Sequence, residues 1–396
     1  MGKNGQIIVY GTVWCPDCKR SKAFLGEQRV QYQWVDIEQD PEAAKYVEEV
    51  NGGKRVVPTI VCRDGTILTE PTNAELAARL GLTMKAERTF YDVIIIGGGP
   101  AGLTAALYLA RDGMDVLVVE KGATGGQAGI TQVIENFPGF DEGISGDEFA
   151  KRLTRQAQRF GVEILRAQTV VDIRTNGKYR EVLTADESSY GARAVLLATG
   201  ARYRRLDVPG EQELIGANIH FCATCDGAFY KGKEVLVVGG GNSGFEEGLF
   251  LTNFATKVTI VEFMPEVKAT KVLQKKVAER DDMEVITNHE VLEFVVKDRR
   301  LGGVRVKDRA TDEIKVWRPD GVFVFVGYAP NSDFLPAEIE RDRRGFVVTD
   351  KTLQTSMHGV FAAGDVRAGS TAQLASAAGE GAAVALMMRE YLREHE

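Results

Sequence analysis

The sequence predicts an α/β protein of more than one domain, and three observations carry that reading. Short β-branched apolar runs alternate with helix-length segments through most of the chain. A strand, glycine turn, helix and strand occur in that order twice, at "YDVIIIGGGPAGLTAALYLARDGMDVLVVEKG" and at "KEVLVVGGGNSGFEEGLFLTNFATKVTIVEF". The length of 396 residues also exceeds what one ordinary core holds, so two to three domains are expected.

The first module reads as a strand at "QIIVYG", a helix starting near Asp17, a second strand at "YQWVDI" and a second helix at "PEAAKYVEEV". The runs "VPTIVC" and "TILTE" flank an Asp64-Gly65 turn and make a hairpin. Thr72 and Glu75 have the spacing of a capping box for a helix ending near Leu80. A βαβ unit followed by a hairpin and a helix is the order of a thioredoxin fold, and it is assigned to residues 1–82. The polar stretch "LTMKAERT" then marks a linker, residues 83–90.

In the first repeated unit Gly97, Gly99 and Gly102 fit G-x-G-x-x-G, and Glu120 closes the second strand. Glycines there permit a tight turn and let the backbone approach a pyrophosphate at a helix N-terminus, while the acid reaches ribose hydroxyls. Gly239, Gly241, Gly244 and Glu262 repeat the pattern. Two such units imply two dinucleotides, and the common pairing is a flavin with a nicotinamide. Glu262 favours NADH over NADPH, because a carboxylate accepts from a 2′-hydroxyl and repels a 2′-phosphate; the following "FMPEVK" offers only Lys268 as a cation. A last strand and helix, "GVFAAGDV" through "LMMREYL", suggest that the second domain, residues 207–326, is inserted into the first, residues 91–206 and 327–396.

Composition bounds the function classes. Apolar residues make up 44% and charged residues 27%, a soluble globular balance. The net charge of −7 argues against a broad nucleic-acid footprint. The N-terminus lacks the apolar core of a signal peptide, and no apolar run reaches the roughly 18 residues of a membrane span. A cytoplasmic, reducing location is therefore expected, where Cys-x-x-Cys is catalytic or metal-binding.

Five cysteines form two such pairs, Cys15/Cys18 and Cys222/Cys225, with Cys62 left over in an apolar strand as a small buried hydrophobe. The four paired sulfurs could hold one metal ion or act as two dithiols that exchange electrons. Structural zinc sites place their pairs roughly 15 to 20 residues apart, and these lie far beyond that, so no metal is assigned. Cys15 falls at a helix N-terminus beside Lys19 and Arg20, which favours a thiolate; Cys15 is read as the attacking sulfur and Cys18 as the resolving one. Asp226 follows the second pair directly as a candidate general acid and base. His220, two residues before Cys222, is read as packing.

Residues 91–396 resemble the low-molecular-weight thioredoxin reductase family, which includes the flavoprotein of alkyl hydroperoxide reductase, through "VIIIGGGPAGLTAALYLAR", "GGQAGITQVIENFPGF", "LLATGA", "FCATCDGAF", "VVGGGNSGFEE" and "GVFAAGDV". The resemblance implies FAD on Gly97, Gly99, Pro100, Ala101, Gly102, Glu120, Lys121, Gly126, Gln127, Asn136, Gly200, Gly364, Asp365, Gln373, Leu374 and Ala375. It implies a nicotinamide on Gly239, Gly241, Asn242, Ser243, Gly244, Glu262 and Gly327. Cys225 would then face the flavin and Cys222 would exchange with an acceptor. Glu262-Phe263-Met264 stands where NADPH-linked thioredoxin reductases carry a His-Arg-Arg cluster, and "VEFMPEVKA" is similar to the peroxide-reductase branch.

Residues 6–82 resemble glutaredoxins, in particular a mycoredoxin-like branch, through "WCPDCKRSKAFL" and "DGTILTEPTNAEL". Pro58 matches the cis-proline that flanks the dithiol and offers backbone to a substrate strand. The glutathione-holding turn is replaced by "TEPTNAEL", which points to a protein disulfide or another small-thiol mixed disulfide.

The expected enzyme is an NADH-dependent disulfide reductase. Electrons would run from NADH through FAD to Cys222/Cys225, to Cys15/Cys18 and out to an acceptor, in a homodimer whose insert rotates between two states. The alternatives are a dedicated peroxiredoxin reductase and a non-catalytic flavin-bound redox sensor.

Overall fold

The structure, a computed structural model, describes residues 6–395 except Gln132, Glu135, Cys222 and Arg299, and describes Thr224 and Cys225 by backbone alone. It divides into two compact units: residues up to Asn73 with Tyr203–Gly327, and Ala74–Arg202 with Tyr328–Glu396.

In the first unit the N-terminal module is a four-stranded sheet ordered Tyr32–Asp36, Ile7–Gly11, Thr59–Val61, Ile67–Thr69, its first pair parallel and the others antiparallel. The helix Pro16–Glu27 starts one residue before the expected Asp17, because proline suits a first helical position and Cys15 takes the cap. Asp40 caps the helix Pro41–Val50 by accepting N–H bonds from Glu42 and Ala43 at 3.1 and 3.0 Å. Val9, Leu25, Val47 and Ile60 are fully buried between these layers. Cys62 is buried at the end of the central hairpin and is a free thiol.

The rest of that unit is a five-stranded, all-parallel sheet ordered Ile219–His220, Gly321–Val324, Glu234–Val238, Lys257–Val261, Met283–Ile286. Its central strands read as unbroken Val and Leu runs because both faces are covered. An antiparallel sheet of His289–Lys297, Arg300–Asp308 and Ile314–Trp317 adjoins it.

The second unit is built on a seven-stranded sheet. Glu163–Leu165, Val116–Val119, Phe90–Ile96 and Ser189–Leu197 run parallel in that order. Ser189–Leu197 then pairs along one half with Tyr179–Thr184 and along the other with Val360–Ala362. The helices Pro100–Arg111 and Leu374–Glu394 pack on this sheet through Leu103, Leu107, Val384 and Met388. No helix among the described residues is long and apolar enough to cross a membrane.

Candidate functional site: two dithiol segments and two dinucleotide loops

Cys15 and Cys18 are free, buried thiols at the N-terminus of the helix Pro16–Glu27. The Cys18 N–H donates to Cys15 Sγ at 3.1 Å, a bond a thiolate accepts better than a thiol. Burial and the neighbouring Cys15 push the Cys18 thiol well up, and the Thr12 backbone and the Lys22 ammonium oppose that rise in part. Val57 and Pro58 are joined by a cis peptide bond, and Cys15 Sγ donates to Val57 O at 3.6 Å. Gly11 lies beneath the pair; a Cβ there would stand 2.7 Å from Cys18 Sγ and 2.6 Å from the Trp34 ring. The two cations nearest in sequence are spent elsewhere: Arg20 pairs with Asp17 and donates to Pro71 O, and Lys19 donates to Glu213 O at 3.3 Å.

Glu213 belongs to the other part of the same unit, and so do several neighbours of this helix. Lys22 Nζ donates to Gly216 O at 3.4 Å and lies 4.7 Å from the Trp34 ring and 4.9 Å from the Phe229 ring. Tyr32 and Phe229 have ring centroids 6.4 Å apart, and Arg300 reaches the nearly buried Asp36 at 3.4 Å. The dithiol module therefore packs beside the segment Ala223–Tyr230, which carries Asp226 and Phe229.

Cys222 lies outside the described residues, and Cys225 contributes its backbone to the short helix Ala223–Asp226. Around that helix the structure brings together groups that sequence spacing did not reveal. His220, fully buried, has Nδ1 3.0 Å from Asp226 Oδ2, out of line for a hydrogen bond, and Nε2 2.7 Å from the Tyr230 hydroxyl. Burial pushes the Asp226 carboxyl up, but the charges of His220 and Lys22 outweigh that and hold it below the ordinary carboxylate range. The His220 imidazole packs against the Tyr230 and Phe323 rings, as a packing histidine would, and also sets its Nδ1 beside the Asp226 carboxylate.

Glu247, on the helix Asn242–Leu251, accepts the Ala223 N–H at 3.2 Å. Burial, with Glu246 adding to it and the Ala223 N–H opposing it, pushes this carboxyl up to about 7. The signal in sequence was an acidic pair inside an otherwise apolar helix. Since the folded carboxyl holds its proton to higher pH than the unfolded one, its stabilisation is full below about pH 4.3 and is lost as pH rises through the folded value. Thermal melts of the parent should fall between about pH 5 and about pH 8 more steeply than those of Glu247→Gln. Parallel curves would remove Glu247 as the cause.

The two glycine loops share one construction. Gly97 has φ +109° and Gly239 φ +120°; a Cβ on either would meet a backbone oxygen, of Ala198 or Phe325, at 2.3 Å. A Cβ on Gly102 or Gly244 would stand 2.0 or 1.9 Å from the oxygen of Gly97 or Gly239. In each unit the strand-closing acid bridges its own loop. Glu120 accepts from Gly98 and Gly122 at 2.6 and 2.7 Å, and Glu262 from Gly240 and Met264 at 2.5 and 2.8 Å. A carboxylate has about four lone-pair positions, so each acid keeps acceptor capacity for a ribose. The helices after the loops are capped by Gly99 and Gly241, which have no side chain to cap the first N–H groups. These cradles fit dinucleotide pyrophosphates.

Further residues expected around a flavin lie in the second unit, and three pairs of them meet. Gly126, which opens the turn Gly126–Ile130 holding Gln127, would place a Cβ 3.3 Å from Gly99 Cα. Asn136 donates to Gln373 at 3.3 Å, just ahead of Leu374 and Ala375 at the start of the last helix. A Cβ on Gly364 would stand 3.0 Å from that of Ala101, on the helix that Pro100 opens. Burial pushes the neighbouring Asp365 carboxyl up. Gly200 turns the chain with φ +65°, and Lys121 follows Glu120 directly. At the second glycine loop, where a nicotinamide is expected, Asn242 accepts the Thr270 N–H at 2.8 Å, Ser243 follows it in the helix, and Gly327 has φ +108°. One cation was not foreseen: Arg309 lies 3.8 Å over the Phe263 ring, next to Glu262, and donates to Phe263 O. Among the described residues no group of His, Cys, Asp and Glu could hold a metal.

Comparison with known proteins accords with this geometry. The pyridine nucleotide-disulphide oxidoreductase family matches residues 91–382 and the glutaredoxin family residues 7–67. A thioredoxin reductase of Bacillus subtilis is 40% identical over 311 residues, 78% of this chain and 97% of that protein. A bifunctional thioredoxin reductase/thioredoxin of Mycobacterium leprae is 42% identical over 317 residues, 80% of this chain and 69% of that protein. The crystal structure of Lactococcus lactis thioredoxin reductase matches with a TM-score of 0.73 at 36% identity, over 77% of this chain and 99% of that one. T. acidophilum thioredoxin reductase matches with the same TM-score and identity over 78% and 100%. The chain thus belongs to the pyridine nucleotide-disulphide oxidoreductases, as a thioredoxin reductase-type disulfide reductase that carries an N-terminal glutaredoxin domain.

Proposed function

We propose that this enzyme passes electrons from NADH to its own glutaredoxin domain, and that Cys15 of that domain reduces an external protein disulfide or small-thiol mixed disulfide. The observation that carries the reading is the packing of the Cys15/Cys18 helix beside the Ala223–Tyr230 segment, through Lys22, Tyr32 and Phe229. The M. leprae relative, whose name joins a reductase and a thioredoxin, supports the economy of such a fusion. The domains are taken as residues 1–82, a linker at 83–90, a flavin domain of 91–206 and 327–396, and a nicotinamide domain of 207–326. A homodimer is part of the proposal.

When bound, NADH and FAD supply the electron pair that opens the Cys222–Cys225 disulfide. Gly97, Gly99 and Gly102 would hold the flavin pyrophosphate with Glu120 on its ribose, and Gly239, Gly241, Gly244 and Glu262 would do the same for the nicotinamide. The Cys222 thiolate then attacks Cys15 Sγ, the Cys15–Cys18 bond breaks, and Cys18 leaves as a thiolate. Cys225 attacks Cys222 and releases Cys15. One dithiol loses two electrons and two protons, and the other gains both. In this reading Asp226, whose carboxylate lies 3.0 Å from His220, takes a proton from the Cys222/Cys225 pair and hands it on. Reduced Cys15 repeats the exchange on the acceptor, with Cys18 resolving it.

Support for NADH comes from Glu262, whose carboxylate points to the loop and repels a 2′-phosphate; Arg309 beside Phe263 softens that repulsion. Anaerobic reduction of the full-length enzyme by one equivalent of either nicotinamide, with timed alkylation of Cys15 and Cys18, tests both parts. NADH is expected to reduce the pair at least about tenfold faster than NADPH. Equal rates would withdraw the coenzyme assignment, and thiols that stay oxidised would withdraw the relay.

A further inference from the structure

Lys22 lies one helical turn after Cys18, on the same face of its helix. Its side chain leaves the glutaredoxin domain and ends against the nicotinamide domain. The ammonium donates to Gly216 O at 3.4 Å and is sandwiched between Trp34 of its own domain, at 4.7 Å, and Phe229 of the other, at 4.9 Å. A cation between two aromatic faces is held by their quadrupoles, more strongly as water is excluded. Phe229 is three residues beyond Asp226 in the segment that carries the second cysteine pair. Burial pulls the ammonium down, and the Asp226 carboxylate opposes that fall, with Cys18 and Asp36 adding to it. Lys19 and Asp36 make further contacts across the same boundary, and Lys22 interacts both with Cys18 and with Asp226, the residue that follows Cys225 in sequence.

We propose that Lys22 is a positioning residue for electron transfer between the two dithiols. Its ammonium latches the glutaredoxin domain to the Phe229 and Gly216 surface and sets a positive charge one turn from Cys18, where thiolate develops as the interdomain mixed disulfide forms. Undocking moves Phe229 and Gly216 away and releases the side chain, so the charge is fixed in place only while the partner pair is within reach. The assignment rests on the electron relay between Cys222/Cys225 and Cys15/Cys18, and it adds the residue that makes the relay's central step fast.

The test uses the full-length flavoenzyme and three variants, Lys22→Met, Lys22→Arg and Phe229→Leu. Each is reduced anaerobically by nicotinamide, followed at the flavin absorbance and by timed alkylation of Cys15 and Cys18. Lys22→Met is expected to keep the parental rate of flavin reduction and to slow alkylation of the pair by about tenfold or more. Lys22→Arg, which keeps charge, donor and ring contact, should stay within about threefold of the parent. Phe229→Leu, which leaves the glutaredoxin domain untouched, should slow labelling in the same direction as Lys22→Met. Parental labelling in Lys22→Met overturns the assignment, and so does a Lys22→Arg variant as slow as Lys22→Met. A parent whose Cys15 and Cys18 never become reduced overturns the relay itself and the assignment with it, so the two failures are told apart in the parent.

Discussion

Replacing Cys15 by serine is expected to lower steady-state disulfide reduction by about a hundredfold or more while nicotinamide-driven flavin reduction keeps its parental rate. Cys15 is the first sulfur on its helix, with the Cys18 N–H aimed at it and the cis Val57–Pro58 bond beside it. Serine preserves the shape and the cap but is a far weaker nucleophile toward sulfur. The measurement is turnover with a model disulfide against stopped-flow flavin absorbance in the same preparation. Undiminished turnover would mean that Cys222 and Cys225 serve acceptors directly. Full activity confined to a peroxiredoxin would favour the dedicated peroxiredoxin reductase. A parent that shows no turnover with any disulfide would leave the sensor reading. Cys18→Ser should behave differently, accumulating a mixed disulfide between Cys15 and the acceptor because no resolving thiol remains.

Asp226→Asn should reduce turnover by about a hundredfold, the usual range for losing a positioned acid or base. Asparagine keeps the shape and one acceptor oxygen but carries no exchangeable carboxyl proton. Asp226 faces fully buried His220 at 3.0 Å, with Lys22 as a second positive neighbour. Burial raises this carboxyl and those two charges more than offset it. Its contribution is therefore present above the unfolded carboxylate value, about 3.9, and is lost only as pH falls through the lower folded one. The acid limb of the parental pH–rate profile should lie below the ordinary carboxylate range and be missing in the variant. Parental turnover in Asp226→Asn would leave Asp226 as a turn residue and pass the proton to another group.

Much of this site was legible in the chain because its chemistry is local. A glycine loop, its helix and its strand-closing acid fall within about 25 residues, so Gly97 to Glu120 and Gly239 to Glu262 announce themselves by spacing. The Cys-x-x-Cys pairs and Asp226 are local in the same way. The boundary of the first helix shifted by one residue because Pro16 and Cys15 settle it by cap chemistry.

What the chain could not disclose were the partners that meet only after folding. Lys19 and Arg20 stand nearest the first cysteine pair in sequence, yet helix geometry turns them to Glu213 O, Asp17 and Pro71 O, while Lys22, one turn beyond Cys18, acts on that thiol and meets Trp34 and Phe229. Lys22 and Phe229, Glu247 and Ala223, and Arg309 and Phe263 are each separated by many residues and joined by no periodicity. Sequence alone determined which groups this protein owns and which loops have the glycine spacing of a dinucleotide cradle, since short-range geometry suffices for both. Tertiary structure decided which charge faces which sulfur, because burial and Coulomb interaction depend on distance through space and not on distance along the chain.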